Sequence, residues 1–321
     1  MTSTSLLPAR GGLRMTPARR VTLAFGVPVI LAVIGWIGFN TITLFGQASF
    51  QVSLAVPQSG GQLNLNLNGD NITVARGSAI RLTGTVTYTL TRPSVTEQDD
   101  GGVTNVNLGC AMSIGNCGLV TNLEVTPRTP TTISTGGGDL SISGLDAPVA
   151  VTAEGGNVTA SDLSGKVNVN TGGGDLSASG LSGTVDVTAQ GGNITANGLS
   201  GNLNLDSGGG DLNGSGLTGR AAIATAGGNI GETGVDVPDL TADSGGGDVT
   251  LTFTQPPGNV QISAEGGNVT VILPPGNTKY DISTPNFYGG NVSYPGSLAS
   301  SSSGHKLTID SGGGDVTVTQ G

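Results

Sequence analysis

Two side chains able to ligate a cation or hold a tight turn, Asp and Asn, recur on a fixed beat in this chain. Each closes a run of glycines. They are Asp139, Asn157, Asp175, Asn193, Asp211, Asn229, Asp248, Asn268, Asn291 and Asp315. The first five intervals are 18 residues each, and the later ones lengthen to 19, 20, 23 and 24. Repeated Gly-Asp turns suggest calcium, a hard cation that takes oxygen ligands. Calcium-binding β-rolls, however, set a Gly-Asp turn in each repeat of about nine residues. Here half of the positions are Asn, so the run reads as structural corners, and no metal or other cofactor is expected.

The remaining chemistry is sparse. "TGGGDL" has the glycines of a phosphate loop but no following Gly-Lys-Ser/Thr, so nucleotide binding is set aside. His305 is the single histidine, and no nucleophile motif lies near it, which leaves no Ser-His-Asp arrangement. A polysaccharide-cleaving enzyme would need carboxylates beside Arg or Lys in one groove. The bases within and around the repeats are Arg128, Lys166, Arg220, Lys279 and Lys306. Lys166 and Arg220 share a repeat position but have two repeats between them. The chain is therefore not expected to be an enzyme. Asn157, Asn193, Asn268 and Asn291 fall in Asn-x-Ser/Thr, a match that the repeat itself generates. Cys110 and Cys117 have no histidine nearby, which disfavours a metal site. Outside the cytoplasm they would close a small disulfide loop; the alternative is two free thiols.

What must position these residues is visible in the spacing around them. Counting from each Asp or Asn, apolar residues fall at +1, +3, +6, +10 and +12: Leu140, Ile142, Leu145, Val149 and Val151, then Val158, Ala160, Leu163, Val167 and Val169. The pairs +1/+3 and +10/+12 have the strand period of two, and their neighbours are Ser, Thr, Asn and Asp. Each unit is thus two short strands and two turns. One unit cannot bury its apolar face, but a stack of units can. In a parallel stack equivalent residues lie about 4.8 Å apart. A column of Asp alone would set like charges at that distance, whereas alternation with Asn doubles the spacing and lets each amide donate to its neighbour.

Composition and charge supply the context. Gly is 57 of 321 residues without a Gly-X-Y period, which excludes collagen. Aromatics are 3%, so small aliphatic residues must form the core. Val21 to Phe39 is 19 residues without a charge, directly after Arg19 and Arg20, and the next base is Arg76. As a helix it spans about 28 Å, a bilayer core, with its N-terminus in the cytoplasm. A cleaved signal peptide ending near Ala48 is the alternative. Beyond residue 20 there are 8 Lys and Arg against 22 Asp and Glu, which argues against nucleic acid as a partner.

The expected organisation is a basic cytoplasmic tail (1–20), a transmembrane signal-anchor helix (21–45), a strand-rich introductory region with a loop and the Cys pair (46–131), and Gly-rich repeats (132–321). "SFQVSLAV", "GQLNLNLNGDNITV" and "AIRLTGTVTYTLT" read as strands, and "RPSVTEQDDGGVTNVNLG" as a surface loop. Near the C-terminus Tyr280, Phe287, Tyr288 and Tyr294 gather where the repeats stretch. They would cap the open end of the stack or form a contact surface for sugars or a protein partner.

The "TGGGDL…GGN" units from Thr135 to Val249, their continuation "DSGGGDVTV", and the preceding "VTNLEVTPRTPTTIST" resemble DUF4097, a family of bacterial β-strand repeat proteins that carry the label adhesin. The resemblance covers roughly residues 60–321. It implies a right-handed parallel β-solenoid, often membrane-anchored, and supplies no catalytic residues. The fold class expected is all-β: a right-handed parallel β-solenoid of about 18 residues per coil, preceded by one transmembrane helix. The function expected is structural or adhesive, a single-pass membrane protein displaying its repeats outside the cell to envelope polysaccharide or a protein partner. The alternative is the ectodomain of an envelope-stress or signalling system with a membrane partner.

Overall fold

A computed structural model describes residues 48–56, 61–67, 71–88, 93–109 and 117–321. The basic tail, the 21–45 stretch, Cys110 and the side chain of Cys117 lie outside the described residues. No helix long and apolar enough to cross a membrane occurs among those described. Residues Ser49–Gly321 form one compact unit.

The repeats wind as coils, each giving one strand to each of two ladders, here termed face A and face B. Coil after coil the strands are parallel and shifted by one repeat. On face A, Val158–Ser161 pairs with Leu176–Ser179, which pairs with Ile194–Asn197. On face B, Ser164–Thr171 pairs with Ser182–Ala189, which pairs with Ser200–Ser207. The alternation of apolar and polar residues puts Val, Leu, Ile and Ala inward, and nearly all are closed to solvent. At the bend between the faces a column of Leu145, Leu163, Leu181, Leu199 and Leu217 is fully buried. A single long strand, Ile230–Ser244, runs through both faces and joins them.

The two ends of the stack depart from chain order. At the C-terminal end, Val269–Leu273 pairs with the last strand, Val316–Gln320, and that strand in turn pairs with Val292–Ser293. The final coil is therefore threaded between its two predecessors. The N-terminal end does the same: Asn71–Arg76 lies between Cys117–Val125 and Asp139–Ser143. The strands Gln62–Leu67 and Asn71–Arg76 consequently belong to the stack. Counted along face A, twelve parallel strands stack, a length of about 50 Å.

The sequence expectation of a surface loop over 92–109 is corrected. Ser94–Asp99 and Val103–Gly109 form an antiparallel hairpin. Its turn is Gly101-Gly102, both at positive φ (63° and 104°), with Asp100 and Val103 hydrogen-bonded in both directions. That is the backbone a two-residue hairpin requires. Together with Arg81–Tyr88, which runs antiparallel to Cys117–Val125, it covers the N-terminal end of the stack. An antiparallel cover interrupts the parallel template that an open end would offer to another chain.

Candidate functional site

The Asp/Asn positions lie in one column along the edge of face A. In each coil the backbone N–H of the Asp or Asn donates to the side-chain oxygen of the residue in the coil before. Asn157 donates to Asp139 Oδ1 at 2.8 Å, Asp175 to Asn157 Oδ1 at 3.0 Å, Asn193 to Asp175 Oδ1 at 2.8 Å and Asp211 to Asn193 Oδ1 at 2.8 Å. The same bond continues through Asn229, Asp248 and Asn268. At two rungs the amide also donates sideways, Asn229 Nδ2 to Asp211 Oδ1 at 3.1 Å and Asn268 Nδ2 to Asp248 Oδ1 at 3.2 Å. Along the chain Asn268, Asn291 and Asp315 break the alternation. In space they keep it, because Asp315 donates to Asn268 Oδ1 and Asn291 donates to Asp315 Oδ1. The threaded last coil supplies the missing carboxylate. At the other end Asn71 pairs with Asp139 and extends the pattern by one rung.

A second alternation runs beside the first and was missed in the sequence. All five coils that end in Asp enter the glycine run through a buried hydroxyl: Thr135, Thr171, Ser207, Ser244 and Ser311. Coils that end in Asn mostly carry Ala there instead, at 153, 189 and 264. Ser207 Oγ accepts from the Gly210 N–H at 3.0 Å and lies within 3.0 Å of the Gly192 carbonyl and 2.9 Å of the Gly210 carbonyl. The glycines themselves are set by close approach. A Cβ on Gly192 would lie 2.1 Å from the Gly174 carbonyl oxygen, and one on Gly210 would lie 2.4 Å from that of Gly192. The signal was available: Thr or Ser precedes each Gly-Gly-Gly-Asp. The structural repeat is thus two coils long.

Face B carries an open axial trough. One wall is the column Thr184, Asn202, Arg220 and Asp239; across from it stand Asp186, Asn204 and Thr241. The second wall dips at Ala222, opposite Arg220, and the trough as a whole encloses about 370 Å³. Its floor is the backbone of the face B strands together with the exposed Ala222 methyl, while Leu203 and Ala221 face the core. Arg220 Nη2 lies 3.2 Å from Asp239 Oδ2. Asp186 accepts from Asn204 Nδ2 at 2.9 Å and from Asn168 Nδ2 at 3.5 Å. On the other side of the Asn202–Arg220 ridge, a column of glycines (165, 183, 201 and 219) floors a second basin of about 650 Å³. This is a groove in which Asp and Arg meet, the arrangement that the spacing of Lys166 and Arg220 did not reveal. It arose because Asp239 and Arg220 occupy successive rungs of one column.

The four C-terminal aromatics separate. Tyr280 is 1% exposed and belongs to the core, packed against the His305 ring at 5.7 Å, which removes it from any contact surface. His305 Nδ1 lies 2.7 Å from the Pro257 carbonyl and helps to seat the segment. Phe287 is partly buried against the core, whereas Tyr288 and Tyr294 are exposed. No cluster of three or more His, Cys, Asp or Glu suited to a metal ion occurs among the described residues.

The protein-family model "Toastrack DUF4097" matches residues 34–319, nearly the whole of the stack just described. The chain belongs to the Toastrack DUF4097 family. Comparison with curated proteins gives no match. Among solved structures it is similar to one from Parabacteroides distasonis named "putative adhesin", at 12% identity and TM-score 0.45, covering 84% of this chain and 97% of that one. A second so named, from Parabacteroides merdae, gives 12% identity and TM-score 0.45, with 85% and 96% covered. A protein from Parabacteroides distasonis named "Putative lipid binding protein" gives 13% identity and TM-score 0.35, with 86% and 97% covered.

One core residue of this Toastrack chain stands apart. Glu232 is fully buried on face A, and neither carboxylate oxygen has a hydrogen-bond partner. Its register neighbours are Gly214 and Leu251. A Cβ on Gly214 would sit 2.8 Å from Glu232 Oε1, so the glycine leaves the space that the carboxyl fills. Burial pushes the Glu232 carboxyl up to about 8 from its ordinary 4.5. The position is readable as a polar residue at +3, where the earlier repeats have Ile142, Ala160, Ala178 and Ala196.

Proposed function

We propose that this protein is a single-pass membrane protein with its N-terminus in the cytoplasm, carrying an extracytoplasmic solenoid of structural or adhesive type. The solenoid holds envelope polymers or a protein partner through repeated surface columns and does not turn them over. The coils wind right-handedly, as crossovers between parallel strands of one sheet nearly always do. The observation that carries this reading is the in-register repetition of polar side chains along both faces. Equivalent groups recur every coil, about 4.8 Å apart, which suits a partner that is itself a linear repeat. Many weak contacts in series then add up to firm attachment. The uncharged stretch Val21–Phe39 after Arg19 and Arg20 supports the anchor and its orientation.

The test is topological. Tyr288 is 80% exposed, so Tyr288→Cys in a chain with Cys110 and Cys117 changed to Ser offers one reactive thiol. In intact cells whose outer envelope admits the reagent, a membrane-impermeant maleimide is expected to label it. Labelling only after lysis would place the repeats in the cytoplasm and end this reading.

A further inference from the structure

We infer that the trough on face B binds one extended, uncharged, β-linked polysaccharide chain, lying along the solenoid axis with a sugar seated in the recess at Ala222. The inference rests on the adhesive reading above and names its ligand class and its site.

Shape comes first. The trough follows the stacking direction and is built from residues of successive coils, so the middle of a chain can lie along it. Its repeat, about 4.8 Å, is close to the length of one pyranose in an extended chain. A β-1,4 linkage keeps the chain extended along such a row, whereas an α-1,4-linked glucan coils away from it. The local widening is set by one small residue, Ala222, between Asn204 and Thr241 in its column. The trough that includes this widening encloses about 370 Å³ in all, within the range of small-ligand sites.

The lining then selects the chemistry. Asn202 and Asn204 offer both donors and acceptors, Thr241 a hydroxyl, and Asp186 and Asp239 further acceptors. These are groups that recognise hydroxyls. Between them the exposed Ala222 methyl offers an apolar spot to the C–H face of a sugar ring.

Charge excludes the polyanionic alternatives. The guanidinium of Arg220 is engaged by Asp239, and the Asp186 charge is met only by neutral amides. With 22 acidic residues against 12 basic ones in the chain, a uronate or phosphate polymer is repelled. A neutral chain meets no such barrier.

The experiment uses residues 49–321, which carry their own core and form one compact unit. Binding of cellohexaose, chitohexaose, maltohexaose and a β-1,4-linked oligoglucuronate is measured by calorimetry. Cellohexaose or chitohexaose should bind, maltohexaose and the oligoglucuronate at least tenfold more weakly or not at all. Ala222→Trp fills the recess from an exposed position and should weaken binding at least tenfold while leaving the melting temperature unchanged. Asn202→Ala, which removes one of the polar groups facing the chain, should also weaken binding and serves as a second variant should the first disturb folding. Failure of both β-linked oligomers to bind, or wild-type affinity in both variants, would overturn the inference. Retention on isolated cell-wall material is followed in parallel: if wild type and Ala222→Trp are retained alike, the adhesive reading stands and the trough is not its site.

Discussion

Asn193 carries the argument about alternation in a single amide. Its side-chain oxygen accepts the Asp211 N–H, and its own N–H donates to Asp175. Asn193→Asp preserves both bonds and adds one charge between two carboxylates about 5 Å away. At the dielectric of an exposed edge each such pair costs about 0.8 kcal/mol. The variant should therefore be about 1–2 kcal/mol less stable at neutral pH and low salt. At pH 3 the difference should shrink, because carboxylates that take up protons no longer repel; an equal loss at both pH values would discard charge spacing as the reason. Glu232 makes the opposite experiment. Its folded value, about 8, stands above the ordinary 4.5. Below pH 4.5 both states hold the proton. Between 4.5 and 8 the unfolded chain releases it and the folded chain keeps it, so stability falls as pH rises and levels off above 8. Glu232→Gln should match wild type near pH 4 and exceed it by on the order of 5 kcal/mol at pH 8, read as a denaturant midpoint. A constant offset across that range would mean the carboxyl is not held neutral. The surface ladder was legible in the sequence because it repeats. Glu232 was legible only as a single polar exception at +3, and one exception in a periodic column does not by itself mark a buried carboxyl.

The strands were legible wherever an apolar-polar alternation was regular, as in Val149–Ala153 and Val158–Ser161. The turns were read as glycine-rich without the reason for each glycine. Gly201 shows what the spacing demands: φ is +116°, and a Cβ there would stand 2.1 Å from the Gly183 carbonyl oxygen. Gly201→Ala should cost roughly 3 kcal/mol or more, since positive φ and a backbone clash add. Gly209, whose added Cβ would meet nothing within 4 Å, is the matched control and should tolerate Ala nearly unchanged. Equal melting temperatures for the two variants would refute close coil stacking as the origin of the glycine columns. The hairpin over 94–109 was hidden by its charge. "EQDDGG" reads as solvent-loving loop, yet Gly101-Gly102 is also the strongest turn signal available between two strands.

At the scale of the molecule, parallel stacking in a repeat of about 18 residues follows from periodicity, because only neighbouring coils can bury the inward column. The order of the end coils does not. The lengthening intervals, 23 and 24 residues, signalled an irregular end, but a repeat pattern holds no information on which coil lies between which. The clue lay in the alternation itself: Asn268, Asn291 and Asp315 obey it only if Asp315 sits in the middle. Cross-linking measures this directly. Thr270 is in register with Thr317, and Thr317 with Ser293. Neighbouring rungs about 4.8 Å apart can close a disulfide, whereas rungs two steps apart, about 10 Å, cannot. With Cys110 and Cys117 changed to Ser, the pairs Thr270→Cys/Thr317→Cys and Ser293→Cys/Thr317→Cys should oxidise readily, and Thr270→Cys/Ser293→Cys should not. Ready oxidation of Thr270→Cys/Ser293→Cys, with Thr317→Cys unreactive toward Thr270→Cys, would show coils stacked in chain order and contradict the threaded ladder.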